Sequence, residues 1–360
     1  MNNTLFGHEA APRLLAIDIG GGTQDMLLWD PAETVENAVK LVLPAPTRIV
    51  ARRVQAQTQL RRDIFLTGRL MGGGAVTQAV RQHLRAGLKV FAQPGPARSL
   101  HDNLAKLEAW GIQIVEAQPP NTTAIVLGDI DLPALRRALA EFAVDVPEHW
   151  AVAVQDHGFS PEASNRRHRF QHWENFLANG GALGQLFYRQ PPSDLTRMAA
   201  IQEVLPGALV MDTCAAGVWG ALLDSKVQQQ QAEGVVVVNI GNEHTFAVLV
   251  RQEFVWGVYE HHTSLLTPEK LADHLSRFQA GQLTNAEVYD DMGHGCCLRA
   301  DYPGAGQPFP TLVLTGPQRR LGANLPAIWA APYGDMMLTG CFGLLAAAGY
   351  LPTAGSSGPS

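Results

Sequence analysis

The sequence predicts an α/β chain built as two similar lobes, each a mixed sheet flanked by helices, with a cleft between them. Three observations carry this expectation. The chain has 360 residues, and domains usually run to about 100–200 residues, so two cores are expected. A hairpin with a Gly-containing turn occurs once in each half, at residues 14–29 and 235–250. Around each hairpin, short apolar runs alternate with helical spacing, the pattern of a sheet covered by helices.

The elements follow in order. Apolar residues 14–18 and 26–29 flank a glycine-rich turn and read as a hairpin closed by Asp30-Pro31. Residues 63–67 read as a strand, which passes through Gly72-Gly73-Gly74 into a helix at 75–86 and a strand at 88–92. A helix at 101–110 precedes strands at 112–116 and 123–127, and Asp131 reads as the N-cap of a helix at 133–142. A strand at 150–154 ends in Gln155-Asp156-His157-Gly158, and a polar helix at 166–177 leads to Pro191-Pro192, the expected boundary between lobes. Beyond it come a helix at 196–204, a strand at 208–211 and a small-residue helix at 215–223. The second hairpin, a strand at 254–259, a helix at 268–278, a strand at 311–314 and a small-residue helix at 334–348 complete the chain. The expected lobes are therefore 13–195, with an inserted βαβ subdomain, and 196–351, followed by a disordered tail at 352–360.

Composition narrows the function classes. At 46% hydrophobic and 17% charged the chain is too apolar for disorder. With 27 Lys+Arg against 33 Asp+Glu it lacks the basic excess that nucleic-acid binding needs. Residues 1–195 hold 19 basic and 19 acidic side chains, so the net −6 falls wholly in the second half. No apolar run approaches the ~20 residues of a membrane span, and no leader pattern opens the chain. Four cysteines without CxxC spacing are expected to stay reduced, which points to the cytoplasm. Adjacent Cys296 and Cys297 read as small, semi-buried residues.

The segment Asp18-Ile-Gly-Gly-Gly-Thr-Gln-Asp25 is the most informative. Amides around a glycine turn form a concave anion nest, and Gly20, Gly21 and Gly22 let backbone approach a phosphate, with Thr23 adding a hydroxyl. Asp18, leaving its strand, can hold the water shell of a Mg²⁺; a plain glycine hairpin is the alternative. The second turn, Gly241-Asn242-Glu243-His244-Thr245, offers a matching phosphate-facing loop. Asp212 stands at a strand end and a helix start, where it can act as a base, position a water or cap the helix. Thr315-Gly316 and the 334–348 helix leave room for a flat ring beside backbone, or for tight helix packing. Asp156, His157, Glu260, His261, His262, Asp290, Asp291 and His294 offer carboxylates and imidazoles for a substrate cleft or a metal. Gly72–Gly74 opening a helix can form an anion site or a tight packing turn. Arg166-Arg167-His168-Arg169 reads as a solvated basic face or a contact for an acidic partner.

Together these segments resemble the actin-like ATPase superfamily of sugar kinases, heat-shock chaperones and actin. Asp18–Asp25 looks like its first phosphate motif, Asn239–Thr245 its second, and Thr315-Gly316 its adenosine motif. Asp212-Thr-Cys-Ala-Ala-Gly-Val-Trp-Gly220 is similar to a carbohydrate-kinase segment whose Asp is the catalytic base. The motifs Met71-Gly-Gly-Gly74, His101-Asp-Asn-Leu104, Gln155-Asp-His-Gly158, Glu260-His-His-Thr263 and Asp290-Asp-Met-Gly-His-Gly295 resemble a narrower, uncharacterised microbial family whose members often carry the label of pyruvate formate-lyase activating enzymes. The resemblance spans roughly residues 13–351. Radical activating chemistry of that kind needs three clustered cysteines, and the sequence has none, so a radical SAM enzyme is not expected.

The resemblance implies two ribonuclease H-like lobes with mixed five-stranded sheets and Mg-ATP between them. Asp18 would hold Mg²⁺, Gly20–Gln24, Gly241, Asn242 and Thr245 would meet the phosphates, and Thr315 and Gly316 the adenosine. Asp212 would be the base for phosphoryl transfer to an unidentified small molecule. The alternatives are an ATP-driven switch acting on a partner protein, or a ligand binder without turnover.

Overall fold

The computed structural model describes residues 11–162, 164–304 and 309–352. The expected tail lies, past residue 352, outside the described residues.

The chain begins as a meander of β1 (Leu14–Ile19), β2 (Thr23–Trp29) and β3 (Val39–Pro44), antiparallel in sequence. β1 is covered on both faces, as its unbroken apolar run requires. Helix α1 (Pro46–Gln59), with proline in its first turn, leads into an insertion. There β4 (Ile64–Gly68), α2 (Gly74–Arg85), β5 (Val90–Ala92), α3 (Pro94–Arg98), α4 (Leu104–Ala109), β6 (Ile112–Ile114) and β7 (Thr123–Leu127) form a four-stranded parallel sheet, order β6-β5-β4-β7. The insertion buries its own apolar cluster around Ile64, Val76, Val90 and Leu107. Helix α5 (Leu132–Ala140) is capped by Asp131, which accepts from the Ala134 amide at 3.1 Å.

The chain then returns to the first sheet. β8 (His149–Val154) lies parallel to β1; α6 (Asn165–Ala178), β9 (Phe187–Tyr188) and α7 (Thr196–Val204) precede β10 (Leu209–Asp212), which lies parallel to β8. The order is β3-β2-β1-β8-β10-β9. Its β10 lies beyond Pro191-Pro192, so this sheet draws on residues past the boundary expected from sequence.

After α8 (Thr213–Ala221) and α9 (Ser225–Gln228), β11 (Val235–Ile240), β12 (His244–Arg251) and β13 (Phe254–His262) repeat the meander. Helices α10 (Pro268–Gln279) and α11 (Asn285–Asp290), β14 (Gly295–Leu298), β15 (Thr311–Thr315), β16 (Ala327–Trp329) and α12 (Thr339–Ala347) follow. The order is β14-β13-β12-β11-β15-β16, with β15 and β16 parallel to β11. Without β9 and β14, both sheets run third-second-first-fourth-fifth with the same strand senses. This doubled arrangement is the actin-like, ribonuclease H-like fold. Each sheet has six strands rather than the expected five, because β9 extends one edge of the first and β14 the opposite edge of the second.

Helices α8 and α12 pack on each other between the two sheets, and the cluster around them joins Ala16 and Leu27 to Val237 and Val248. Their crossing is close: a Cβ at Gly220 would lie 1.8 Å from the Thr339 carbonyl oxygen, and one at Gly343 1.9 Å from that of Ala216. Among the described residues, no helix is long and apolar enough to cross a membrane.

Candidate functional site

The two hairpin turns are built alike. In the first, the Gly20 amide donates to the Thr23 carbonyl at 2.9 Å; in the second, the Gly241 amide donates to that of His244, also at 2.9 Å. Each turn follows the central strand of its sheet, and the two meet tip to tip. A Cβ at Gly21 would lie 2.2 Å from Glu243 Cγ, and one at Gly22 2.1 Å from Asn242 Nδ2, so only glycine permits this contact. Behind the tips lies a cavity of about 100 Å³.

The turns differ in what stands beneath them. Asp18 pairs across the ladder with Asp25, whereas the equivalent Asn239 pairs with Phe246. A carboxylate pair across the ladder therefore belongs to the first turn alone, while the second turn carries Glu243 at its tip. Thr213 donates to Asp18 Oδ1 at 2.6 Å and Thr23 to Asp25 Oδ2 at 3.3 Å, while Asp25 Oδ1 is buried without a partner. Burial, opposed by the Thr213 hydrogen bond and aided by Asp212, raises the Asp18 carboxyl to about 7. Burial and the charge of Asp18 raise Asp25 to about 8. Gly340 leaves the room that Asp18 occupies, since a Cβ there would meet Asp18 Oδ2 at 1.9 Å. No Lys or Arg lines this cavity. Paired carboxylates, one oxygen unpartnered and no competing side-chain cation, suit a hard divalent ion such as Mg²⁺.

Of the residues expected to meet a nucleotide, Asp18, Gly20, Gly21, Thr23, Gly241, Asn242, Thr315 and Gly316 line the cavity. Three do not. Gly22 packs on Asn242, Gln24 donates to the Pro44 carbonyl on the other face of the sheet, and Thr245 is buried against Thr263. Gly316, at φ +93°, is needed because a Cβ would meet Asn239 Oδ1 and the Ile240 carbonyl at 2.5 Å. Gly220 of α8 and Gly343 of α12 serve close backbone packing, whereas Gly217 and Gly340 line the cavity beside Asn239 and Asp18. Glu243 and His244 of the expected phosphate-facing turn also line the cavity, and so do Asp25, Gln155 and Thr213, which sequence did not assign a role there. Asp25 was discoverable, since a two-residue hairpin sets it opposite Asp18.

Asp212 caps α8, accepting from the Cys214 amide at 2.9 Å, and both its oxygens take bonds from Arg169, at 2.7 and 3.2 Å. Arg169 Nε also donates to Glu260 Oε2 at 2.8 Å, and all three side chains are buried. Both Asp212 oxygens are thus committed, to the guanidinium and to the helix cap. Asp212 is also absent from the lining of the turn cavity. The geometry thus favours the cap over the base, and it removes Arg169 from the expected solvated face.

A second cavity, of about 380 Å³, opens on the other side of the turns and shares Gly20, Gly21, Gln155, Glu243 and His244 with the first. The insertion supplies its far wall through Gly72–Gly74, Arg98 and Asp102. His157 and His262 line it, and His294 lies 3.2 Å from His157, Nε2 to Nε2. Burial holds the His157 and His294 imidazoles well below their ordinary range and lowers His244 to about 4. Asp156 also reaches this cavity, but its carboxylate accepts backbone amides of Gly158, Arg197 and Met198 and so organises the loop. Glu260 stands behind, bonded to Gln155 and Arg169. His261 and Asp291 are not part of it. Strand alternation turns His261 to the opposite face of β13, where it meets Asp291 at 3.0 Å beside Lys270.

Comparison with known proteins accords with this geometry at the level of family. A family model described as "Putative pyruvate format-lyase activating enzyme (DUF1786)" matches residues 71–321. No curated protein matches the chain. Among solved structures, an exopolyphosphatase-like protein shares 11% identity over 84% of this chain and 66% of its own, TM-score 0.29. A Listeria monocytogenes protein described as "a putative N-acetylmannosamine kinase" shares 8% over 93% and 98%, TM-score 0.34. Ethanolamine utilization protein EutJ from Carboxydothermus hydrogenoformans shares 9% over 93% and 89%, TM-score 0.32. This chain thus spans just under two thirds of the first of these. The strand order, rather than these distant likenesses, identifies the fold.

Proposed function

The chain belongs to the DUF1786 family, and from that premise we propose that it binds Mg-ATP between its two sheets and transfers a phosphoryl group to a small molecule. The observation that carries this reading is the pair of equivalent turns meeting tip to tip over a carboxylate pair. Amides of Gly21–Thr23 and Asn242–His244 would clamp the polyphosphate from both sides. Asp18 and Asp25 would hold Mg²⁺, which would supply charge neutralisation at the phosphates. The acceptor would occupy the larger cavity, whose Arg98, Ser99, Asp102 and imidazoles suit a compact polar metabolite. Glu243 lines both cavities, and in this reading it takes over the role that sequence assigned to Asp212. A second reading, nucleotide binding without turnover, is favoured by one observation, the engagement of Asp212 by Arg169.

Thermal denaturation with Mg-ATP and Mg-ADP tests the reading. Saturation at ~100 times Kd should add about 2.7 kcal/mol of stability. In a metabolite panel, one compound should then stimulate ATP consumption by the wild type, and Glu243→Gln should lose that stimulation while keeping the Mg-ADP shift. Absence of any nucleotide shift would sink both readings. Binding without stimulation by any compound would leave the second standing.

A further inference from the structure

We propose that His157, His244 and His294 form a binding site for one divalent transition-metal ion, zinc being the ion best matched to the donors. The site opens on the 380 Å³ cavity and needs no nucleotide, although His244 also belongs to the second turn.

The three imidazoles come from distant segments, the loop after β8, the start of β12 and the loop before β14. One ligand nitrogen from each lies within 4.8 Å of the other two. The ring centroids are 4.8 Å apart for His244–His294, 5.3 Å for His157–His294 and 5.9 Å for His157–His244. Two nitrogens bound to one tetrahedral zinc at 2.0–2.1 Å would stand about 3.3 Å apart. His157 Nε2 and His294 Nε2 are 3.2 Å apart, the spacing of co-ligands.

The surroundings of the cluster support ligation. His244 Nδ1 meets Gln155 Oε1 at 2.6 Å, which fixes the proton on Nδ1 and leaves Nε2 as a free donor. Gln155 is itself oriented by donating to Glu260 Oε1 at 2.9 Å, and Glu260 by Arg169. This is the outer chain of partners that metal-bound histidines require. His294 Nδ1 is buried with no hydrogen-bond partner, a cost that a cluster of polar rings does not normally carry.

Donor chemistry separates this site from the carboxylates beneath the first turn. Imidazole suits zinc, copper, iron and nickel, whereas paired carboxylates suit magnesium. Three protein ligands leave a fourth position, which is the pattern of catalytic rather than structural zinc. That position faces a cavity lined by His157, His244 and His262, so the class of ligand it would take is a water or a substrate oxygen. A second group, His168, His172 and Asp194, is less suited, because Asp194 Oδ2 already hydrogen-bonds the His168 ring at 3.2 Å and stands 3.0 Å from His172 Nε2.

The full-length protein, stripped with a chelator and dialysed, should be titrated with Zn²⁺ alone by calorimetry and with Co²⁺ alone by absorption, nucleotide absent from both. One equivalent should bind, and Co²⁺ should show the ligand-field bands of a low-coordinate site. Gln155→Ala should weaken binding by about 10–100-fold, as loss of an outer partner does. His157→Ala and His294→Ala should each weaken it further, and His168→Ala should bind as wild type. His157→Asn and His294→Asn serve if the alanine variants misfold, which circular dichroism reads directly. Wild type that takes up no zinc, stoichiometric binding that survives the His157 and His294 changes, or binding lost with His168→Ala would each overturn the proposal. A failed nucleotide shift would leave these outcomes unaffected.

Discussion

Asp18 and Asp25 face each other in a buried setting with no basic neighbour in the cavity they share, and their protonation should be visible in stability. Both carboxyls hold protons to higher pH when folded, about 7 and about 8 against an ordinary 3.8. The stability they contribute is therefore complete below 3.8 and is lost as pH rises through 7 and 8. Cation-free protein should melt at falling temperature from about pH 4 to about pH 8, and Asp25→Asn should flatten much of that slope. An unchanged slope in the variant would show that the pair does not titrate there. Legibility at this scale followed distance along the chain. Asp18 was readable because its turn and its partner Asp25 lie within eight residues, although Thr213 and Gly340, which complete its setting, do not. The fate of Asp212 was not, because Arg169 lies 43 positions away in a run that looks like an exposed basic face. His157 and His294 were cleft candidates in sequence and His244 a turn residue, but only the fold brings the three together. The split between His261 and His262 follows from strand alternation and could have been read from 254–262 had that strand been extended to its true end.

The helices α8 and α12 show how a composition can be read correctly and its purpose left open. Their small residues allow either a slot for a flat ring or tight packing, and Gly220 and Gly343 pack backbone on backbone while Gly217 and Gly340 line the cavity. A methyl at Gly343 would collide with the backbone of Ala216 and Gly220, which cannot swing aside as a side chain could. Gly343→Ala should therefore cost about 1–3 kcal/mol in chemical denaturation. A cost near zero would mean that the helices can part without loss. Most other elements were legible from periodicity. Strand β3 and helix α1 were not, because β3 is an exposed edge strand with little alternation and α1 buries only a narrow stripe, with arginines and glutamines on its other faces. The expected helix at 334–348 begins only at Thr339, since Gly334 at φ 78° and extended Asp335 at φ −126° occupy its expected first turn.

For the whole molecule, the decisive quantity is the size of the cleft. Ligand pockets usually hold about 300–1,000 Å³, and the cavity behind the turns holds about 100 Å³, so a nucleotide enters only if the sheets move apart. A lock across the turns should prevent this. A Cβ at Gly21 would stand 3.3 Å from Glu243 Cβ, close to the spacing of about 3.5–4.5 Å in disulfides. The oxidised Gly21→Cys, Glu243→Cys double variant should show no Mg-ATP thermal shift, and reduction should restore it; a full shift in the oxidised form would mean that entry needs no separation. The paired hairpins made the two-lobed plan legible in sequence, whereas the degree of closure, set by contacts between halves, left no local trace. One of those contacts determines how the halves let go of each other. Arg169 grips Asp212 at the end of β10 and Glu260 on β13, so separating the sheets pulls it from one of them. An apolar seam resists opening because water gains nothing from meeting it. Here each parted ion is rehydrated, and that rehydration offsets much of the lost attraction. Arg169 is thus a latch rather than a weld: it sets the closed register firmly, yet opposes release only weakly once water reaches it.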